Sequence, residues 1–534
     1  MILDKDLLSI QEAREKARKA HEAQLEFKHF TQEQVDKIIK AMANAGYEAS
    51  ERLAKMAHEE SGFGKWEDKL IKNQFGTRNV YESIKNLRTV GIVGEEENGK
   101  VLKIAMPMGV VCALIPSTNP TSTAMYKALI SLKGRNAIVA SPHPRTSNCT
   151  AESLKILDEA AVNAGAPAGL IQCLSEATID GTNALMKDKN IAIILATGSN
   201  PMVKAAYSAG KPAYGVGSGN VPAFIERTAN YQKAVADIIY GTCFDNGTLC
   251  SSEQSMIVDE PIEEQVRDEV ISQGGYFVTA DEKKKLEKAV QTNFRINPEI
   301  VGKSSNFIAN YAGFQVPENT RVLMADCFEV GKSEPLSMEK LSPVLAYYKV
   351  NGWLEGCHKC IDLLQFGGIG HTMVIHSNDQ PIIMKFALEK PAFRVLVNTV
   401  GSMGAVGYTT ALDASLTLGP GTWGGSIISD NVTAKHMINI KSLAFETNPV
   451  NEGKSVAQFD TQRAHGVKDL FMSEIEERLK ARAGNLPLKD EYQYHLEKKT
   501  TNDHPKPKGI TTFGKGISEE EILKIIDEFE EKVE

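Results

Sequence analysis

VVCALIPSTNPTSTAMYKALISLKGRNAIVASP, residues 110–142, decides the fold. Positions 110–115 are apolar without alternation and the run is short, which is the pattern of a strand covered on both faces. Ser117-Thr118-Asn119-Pro120 ends it, a helix is predicted over about 121–133 with Gly134 as its stop, and NAIVASP (136–142) repeats the strand pattern. Moving outward, a helix is predicted from Thr150, strands at LIQCL (170–174) and IAIILAT (191–197), and a helix after Asn200. Strand, helix, strand at this rhythm predicts a parallel sheet with helices on both faces, the doubly wound arrangement that receives nucleotides at the carboxyl ends of its strands. A second alternation over 221–399 includes SMIVDE (255–260), RVLMA (321–325), PVLAYYKV (343–350), TMVIHS (372–377) and RVLVNT (394–399). The expected class is α/β, with two doubly wound domains.

The flanks differ. The first ninety residues read as helical, with Thr31-x-x-Gln34 a capping box before Val35, Ile38, Ile39 and Met42. Asn98-Gly99 between the apolar runs 90–93 and 101–104 predicts a hairpin. The expected organisation is a nucleotide-binding domain over 1–220 carrying an oligomerisation hairpin at about 90–106, a domain over 221–400 carrying Cys250, a return and oligomerisation segment over 401–460, a polar extension and linker over 461–517, and an amphipathic helix over 518–534. Ser518-x-x-Glu521 caps that last helix, and Ile522, Leu523, Ile525, Ile526, Phe529 and Val533 form one apolar stripe on a tether.

At 534 residues the chain is long enough for two or three domains, and 42% hydrophobic with 24% charged residues is the balance of a soluble globular protein. A net charge of −8 without a basic stripe argues against nucleic acid as a partner. No secretory signal opens the chain, and no apolar stretch is long enough to span a bilayer. Eight scattered cysteines fit free thiols in a reducing compartment, so a cytoplasmic protein is expected. Cys357-His-Lys-Cys360 lies within a helical pattern and has no second pair at zinc-site spacing, so no metal site is read there.

Two segments carry chemistry. FDNGTLCSSEQS (244–255) places Cys250 among small polar residues, between an Asn-Gly turn and a predicted strand; a nucleophilic thiol must be reachable and partly ionised. A buried, inert thiol is the other reading of the local sequence. Asn119 sits where the strand at 110–115 hands over to a helix, a corner that can offer backbone N–H groups and a side-chain amide to an oxyanion, or serve as a plain Asn-Pro turn.

Taken together, IPSTNPTST (115–123), ASPHPRTS (140–147), ATGSN (196–200), GVGSGNVPAF (215–224), FDNGTLCSSEQ (244–254), EKLSPVL (339–345) and GGIGHTMVIHS (367–377) resemble the CoA-acylating aldehyde dehydrogenases, a group that includes the aldehyde half of bifunctional aldehyde–alcohol dehydrogenases. The likeness covers roughly 5–445, and with no alcohol dehydrogenase domain appended a stand-alone enzyme is expected. The resemblance implies that Cys250 adds to an aldehyde, that Asn119 and a backbone N–H hold the resulting alkoxide, and that a Cys250 thioester follows once the nicotinamide has been reduced. It also implies NAD contacts at Ser117 and Thr118, at Ser141, Pro142 and His143 by the adenosine ribose, at Thr197, Gly198 and Ser199 by the pyrophosphate, at Gly217 near the nicotinamide, and at Glu339 on its ribose. NAD is the expected cofactor, with NADP an open alternative because Ser141, His143 and Arg145 replace the Lys and Glu of hydrolytic relatives.

Hydrolytic members carry a general-base Glu in the segment matching 215–220, which here reads Gly-Val-Gly-Ser-Gly-Asn. Coenzyme A is therefore the expected acyl acceptor, in a reversible reaction. Glu253 is read as structural, and His371 as shaping the floor of the site or the CoA path, or as a satisfied histidine in a glycine turn. Acetaldehyde is the default substrate; Met403, Tyr408 and Trp423, with Arg394 upstream, make an anionic aldehyde such as sulfoacetaldehyde the leading variant. The tail at 518–534 resembles the encapsulation peptides that dock enzymes to bacterial microcompartment shells, and packing on its own oligomer is the alternative. A homodimer or larger assembly is expected. A hydrolytic NAD(P)-dependent enzyme and a non-catalytic scaffold or cargo protein are the competing functions, Cys250 with Asn119 arguing against the second.

Overall fold

The computed structural model describes residues 4–450 apart from Phe294 and Pro449. The polar extension, linker and amphipathic tail read at 461–534 lie outside the described residues.

The strand Val110–Ile115 is buried at all six positions and forms the centre of a five-stranded, wholly parallel sheet. Its order across the sheet is Ile171–Cys173, Ala137–Pro142, Val110–Ile115, Ile191–Thr197, Ala213–Val216. The chain order thus reverses between Val110–Ile115 and Ile191–Thr197, which opens a crevice at their carboxyl ends. Helix Pro120–Lys133 is buried along its whole length, with Pro120 at its first turn and Gly134 at its end. The next helix begins at Ser147, three residues ahead of the sequence expectation, since Thr146 carries the chain straight out of the short turn Pro144–Thr146.

The second sheet has seven parallel strands in the order Gly275–Phe277, Val322–Asp326, Val344–Val350, Glu253–Asp259, Val221–Ile225, Gly370–His376, Ala392–Val397. Glu253–Asp259 is buried at every position, as a central strand covered on both faces must be. A smaller antiparallel sheet joins Gly91–Glu96 to Val101–Pro107 and adds Ile438–Ala444 from far along the chain. Asn98 takes the left-handed conformation (φ 55°) in the turn between the first two. Thr31 caps helix Gln32–Glu48 reciprocally with Gln34, the two bonds being 3.3 and 2.9 Å. Among the described residues no helix is long and apolar enough to cross a membrane.

Candidate active site

The carboxyl edge of the first sheet supplies Ser117, Thr118 and Asn119; the amino edge of the second supplies Gly219, Cys250 and His371. After helix Tyr231–Cys243 the chain turns through three consecutive left-handed residues, Asp245 (φ 47°), Asn246 (φ 51°) and Gly247 (φ 77°). Asp and Asn tolerate that region better than other side chains. The turn sets Cys250 three residues ahead of Glu253–Asp259, and Cys250 is half-buried while six of the other seven thiols are fully buried. Its thiol is pushed up to about 12, by burial first and then by the carboxylate of Glu339, against weaker pulls from Arg394 and Lys72. Burial and the Glu339 carboxylate thus favour the protonated thiol of Cys250, whose proton has to leave as it reacts.

Asn119 precedes helix Pro120–Lys133 but does not cap it. Its Nδ2 donates instead to Thr118 Oγ1 (3.1 Å) and to the carbonyl of Thr248 (3.2 Å), two residues before the nucleophile. Its Oδ1 accepts from Lys72 Nζ at 2.6 Å. The same ammonium donates to Asp245 Oδ2 (2.5 Å) and Thr248 Oγ1 (2.9 Å), and Lys69 donates to Asp245 Oδ2 at 2.9 Å. Lys69, Lys72 and Asp245 are all buried. Sequence reasoning passed over all three; Lys72 and Asp245 stand 173 positions apart.

Gly219 is the contact between strand and nucleophile. A Cβ added there would stand 2.1 Å from the Cys250 carbonyl oxygen and 3.4 Å from His371 Nδ1. Its N–H donates to Glu339 Oε1 at 3.0 Å, and the Glu339 carboxyl is pushed up to about 7 by burial. His371 is buried, Nδ1 meets Thr372 Oγ1 at 3.0 Å, and Nε2 has no partner. Burial and Arg394 push the ring down to about 3, so it is neutral at working pH. Glu253, fully buried, accepts from the N–H of Gly401 at 2.6 Å and is pushed up to about 8 by burial. It tethers the start of the helix Gly401–Ala405.

The residues expected to meet the dinucleotide line the crevice where the first sheet reverses order. Ser117 and Thr118 follow one central strand, Thr197, Gly198 and Ser199 follow the other, and Ser141, Pro142 and His143 end the neighbouring strand. Ser199 stands before helix Asn200–Tyr207 without capping it by its side chain. Ser141 is tied to Thr182 (2.7 Å) and His143 Nδ1 accepts from the N–H of Arg145 (3.1 Å). Gly217 allows Asn200 to close in, since a Cβ there would stand 2.1 Å from Asn200 Oδ1. Asn200 Oδ1 accepts from the Ser218 N–H at 3.0 Å. Small side chains and backbone N–H groups at the carboxyl ends of these strands are the donor set that a dinucleotide's phosphates call for.

An apolar cavity of about 10 Å³ is walled by Ile71, Phe75, Phe244, Leu249, Met403, Val406, Tyr408 and Leu416, with Lys72 at its rim. Phe75 enters it from a π-helical turn, Phe75–Asn79, which interrupts the run from Trp66–Gln74 to Val80–Ile84. Met403 and Tyr408 line this cavity, but Trp423 does not: it is 53% exposed and stacks on Phe393 at 4.6 Å. Arg394 is likewise corrected as an anion-holding group. Its guanidinium is spent on the carbonyls of Ser429 (3.0 Å) and Gly419 (2.6 Å), on Asn431 (3.4 Å) and on Thr372 Oγ1 (3.3 Å).

The aldehyde dehydrogenase family model matches residues 5–321. The bifunctional aldehyde-alcohol dehydrogenase AdhE of Escherichia coli strain K12 is 45% identical over 427 residues, 79% of this chain and 48% of its own, so the chain spans about half the length of that relative. A sulfoacetaldehyde dehydrogenase of an Acholeplasma species is 38% identical, over 79% of this chain and 88% of its own. Among solved structures, an acetylating aldehyde dehydrogenase from Geobacillus thermoglucosidasius matches with a TM-score of 0.83 and 49% identity, covering 84% of this chain and 100% of that one.

Proposed function

The chain belongs to the aldehyde dehydrogenase family, and we propose that it is a CoA-acylating member that interconverts a short aldehyde and its acyl-CoA with NAD, acetaldehyde being the preferred substrate. One observation carries the acylating reading. The segment 215–220, where hydrolytic members hold their general base, meets Cys250 with bare backbone at Gly219, 2.1 Å from the place its Cβ would take. Backbone packs so closely there that the segment can carry no side chain toward Cys250, and no carboxylate on it activates water, which leaves the acyl group to an incoming thiol.

The thiol of Cys250 adds to the aldehyde carbonyl. Its proton has to leave as the carbon–sulfur bond forms, and we assign its acceptance to Glu339, the carboxylate whose charge bears on the thiol and which is held beside the nucleophile loop by the Gly219 N–H. The alkoxide of the thiohemiacetal takes the Asn119 Nδ2 hydrogen that the Thr248 carbonyl holds in its absence. Ser117, Thr118, Thr197–Ser199 and Glu339 would hold NAD, which when bound would accept the hydride from the thiohemiacetal carbon. The thiol of CoA then adds to the thioester carbonyl, the bond from that carbon to Cys250 Sγ breaks, and the proton of the CoA thiol ends on the departing Cys250 sulfur. We assign His371 the tautomer in which Thr372 Oγ1, which accepts from Arg394 Nε, donates to Nδ1, so that the unpartnered Nε2–H is offered to the thioester oxygen.

The commitment of the Arg394 guanidinium to the Gly419 and Ser429 carbonyls favours a short uncharged aldehyde over sulfoacetaldehyde. NADH formation from acetaldehyde, propanal, succinic semialdehyde and sulfoacetaldehyde, with and without CoA, tests both parts. Acetaldehyde leading the panel and a requirement for CoA support the reading; equal rates without CoA and a free acid product overturn it. We further assign self-association to the three-stranded sheet, where Leu102, Ile104, Met106 and Leu443 share one face and Met106 and Leu443 are exposed.

A further inference from the structure

We propose that Lys72 is a positioning residue for aldehyde addition, holding the Asn119 amide with its N–H edge toward the alkoxide and its oxygen away from it. The inference rests on the reading of Cys250 as the nucleophile. An asparagine amide can turn over, and the wrong face would aim Oδ1, a partial negative charge, at a developing oxyanion. Nothing on the Asn119 backbone prevents this, because its side chain makes no capping bond to the helix that follows.

Lys72 selects the oxygen side of the amide, as the Thr248 carbonyl selects its nitrogen side until the alkoxide takes that place. Its three N–H donors meet three acceptors: Asn119 Oδ1 at 2.6 Å, Asp245 Oδ2 at 2.5 Å and Thr248 Oγ1 at 2.9 Å. An ammonium has no acceptor atom, so only the amide oxygen can face it, and Nδ2 is thereby left for the Thr248 carbonyl beside Cys250. Asp245 holds the ammonium from behind. It is fully buried, Oδ1 accepts the Lys65 N–H at 2.7 Å, and its own N–H donates to Asp68 at 2.7 Å. The link is continuous from a buried ion pair, through one amide, to the atom that receives the alkoxide. It also places a cation one amide behind the developing negative charge, where it polarises the donor.

Lys69 supplies a matched comparison. It lies on the same helix, Trp66–Gln74, is as buried as Lys72 and bonds the same Asp245 oxygen, but it reaches the Thr118 carbonyl (3.2 Å) and not Asn119. Either lysine can be removed while the other still compensates Asp245, so the two variants carry the same change in buried charge.

The experiment measures single-turnover NADH formation, KM for NAD and CoA, and thermal melting for Lys72→Met, Lys69→Met, Asn119→Ala and the Lys72→Met/Asn119→Ala pair, with Lys72→Gln as the variant that restores an N–H donor. Lys72→Met is expected to slow the turnover about tenfold to a hundredfold with both KM values within about twofold, part of the loss of order 10²–10³ that follows removal of an oxyanion donor. Lys69→Met should melt alongside Lys72→Met and keep its rate within about threefold of the parent. Lys72→Met should cost no more than about threefold extra when added to Asn119→Ala, since it acts only through that group, and Lys72→Gln should recover part of the rate. Equal losses in the two lysine variants, or losses at Lys72 and Asn119 that multiply, would overturn the proposal. Acylating and hydrolytic routes pass through the same alkoxide, so the comparison holds even if the wild-type protein proves to need no CoA.

Discussion

Gly219→Ala is a one-methyl test of how the site is held. Gly219 does not have a positive φ, so the substitution strains no backbone torsion, and its cost comes from space alone. The added Cβ would stand 2.1 Å from the Cys250 carbonyl oxygen, about 1.2 Å short of the roughly 3.3 Å at which carbon and oxygen meet. Both partners are main chain, with Gly219 anchored by its bond to Glu339 Oε1 (3.0 Å) and Cys250 bound into the run to Glu253–Asp259. The nucleophile loop therefore has to move by about 1 Å, a misplacement that costs on the order of 10²-fold in rate, or about 2.7 kcal/mol of transition-state stabilisation. CoA-dependent NADH formation measures kcat, and a melting curve with iodoacetamide labelling of Cys250 confirms that the fold and the thiol persist. A kcat within threefold of the parent, in a variant that melts normally, would refute the close approach on which the reading of 215–220 depends.

Further outcomes follow from the charges around the site. The Glu339 carboxylate disfavours the thiolate, so Glu339→Gln should shift the pH profile of Cys250 alkylation to lower pH while slowing turnover, because the same carboxyl takes the thiol proton; slower alkylation at pH 8 would contradict the assignment. Glu253 is raised from an ordinary carboxyl to about 8, so the folded state holds its proton more tightly than the unfolded one and stability declines as pH rises between about 4.5 and 8. Melting temperatures of Glu253→Gln across that range should show a shallower decline than the parent's, and an unchanged slope counts against a protonated Glu253. Tyr408→Ala opens the apolar cavity and should shift kcat/KM for butanal relative to acetaldehyde upward by about tenfold, measured with both aldehydes side by side. Leu443→Glu should lower the assembly state in gel filtration if the three-stranded sheet is the contact between copies.

The parts of this protein that could be read from its sequence are those where local pattern and environment coincide. Val110–Ile115 is apolar throughout because it is buried on both faces, and the small polar stretch around Cys250 is small because the chain must turn left-handed at Asp245, Asn246 and Gly247 before the strand begins. Cys250 and Asn119 were legible for the same reason, each standing at a strand–helix corner. Lys72 was not. On the helix Trp66–Gln74 it reads as one more solvated charge, and only the fold brings Asp245 against it, buried enough to hold a cation. Arg394 reads differently in the fold: an arginine near a site suggests an anion, but four of its five N–H groups are given to protein oxygens. The strand Ile438–Ala444 was missed because it lies at a sheet edge, exposed over most of its length, and so carries no apolar run.

The central claim is that Cys250 carries an acyl group that waits for a thiol. Incubating the protein with acetaldehyde and NAD in the absence of CoA, then weighing the intact chain and its Cys250 peptide, tests it directly. The account predicts an adduct of one acetyl group on Cys250 that disappears, with acetyl-CoA formed, when CoA is added, and that never forms in Cys250→Ala. An unmodified Cys250 with free acetate accumulating at the same rate with or without CoA would contradict it.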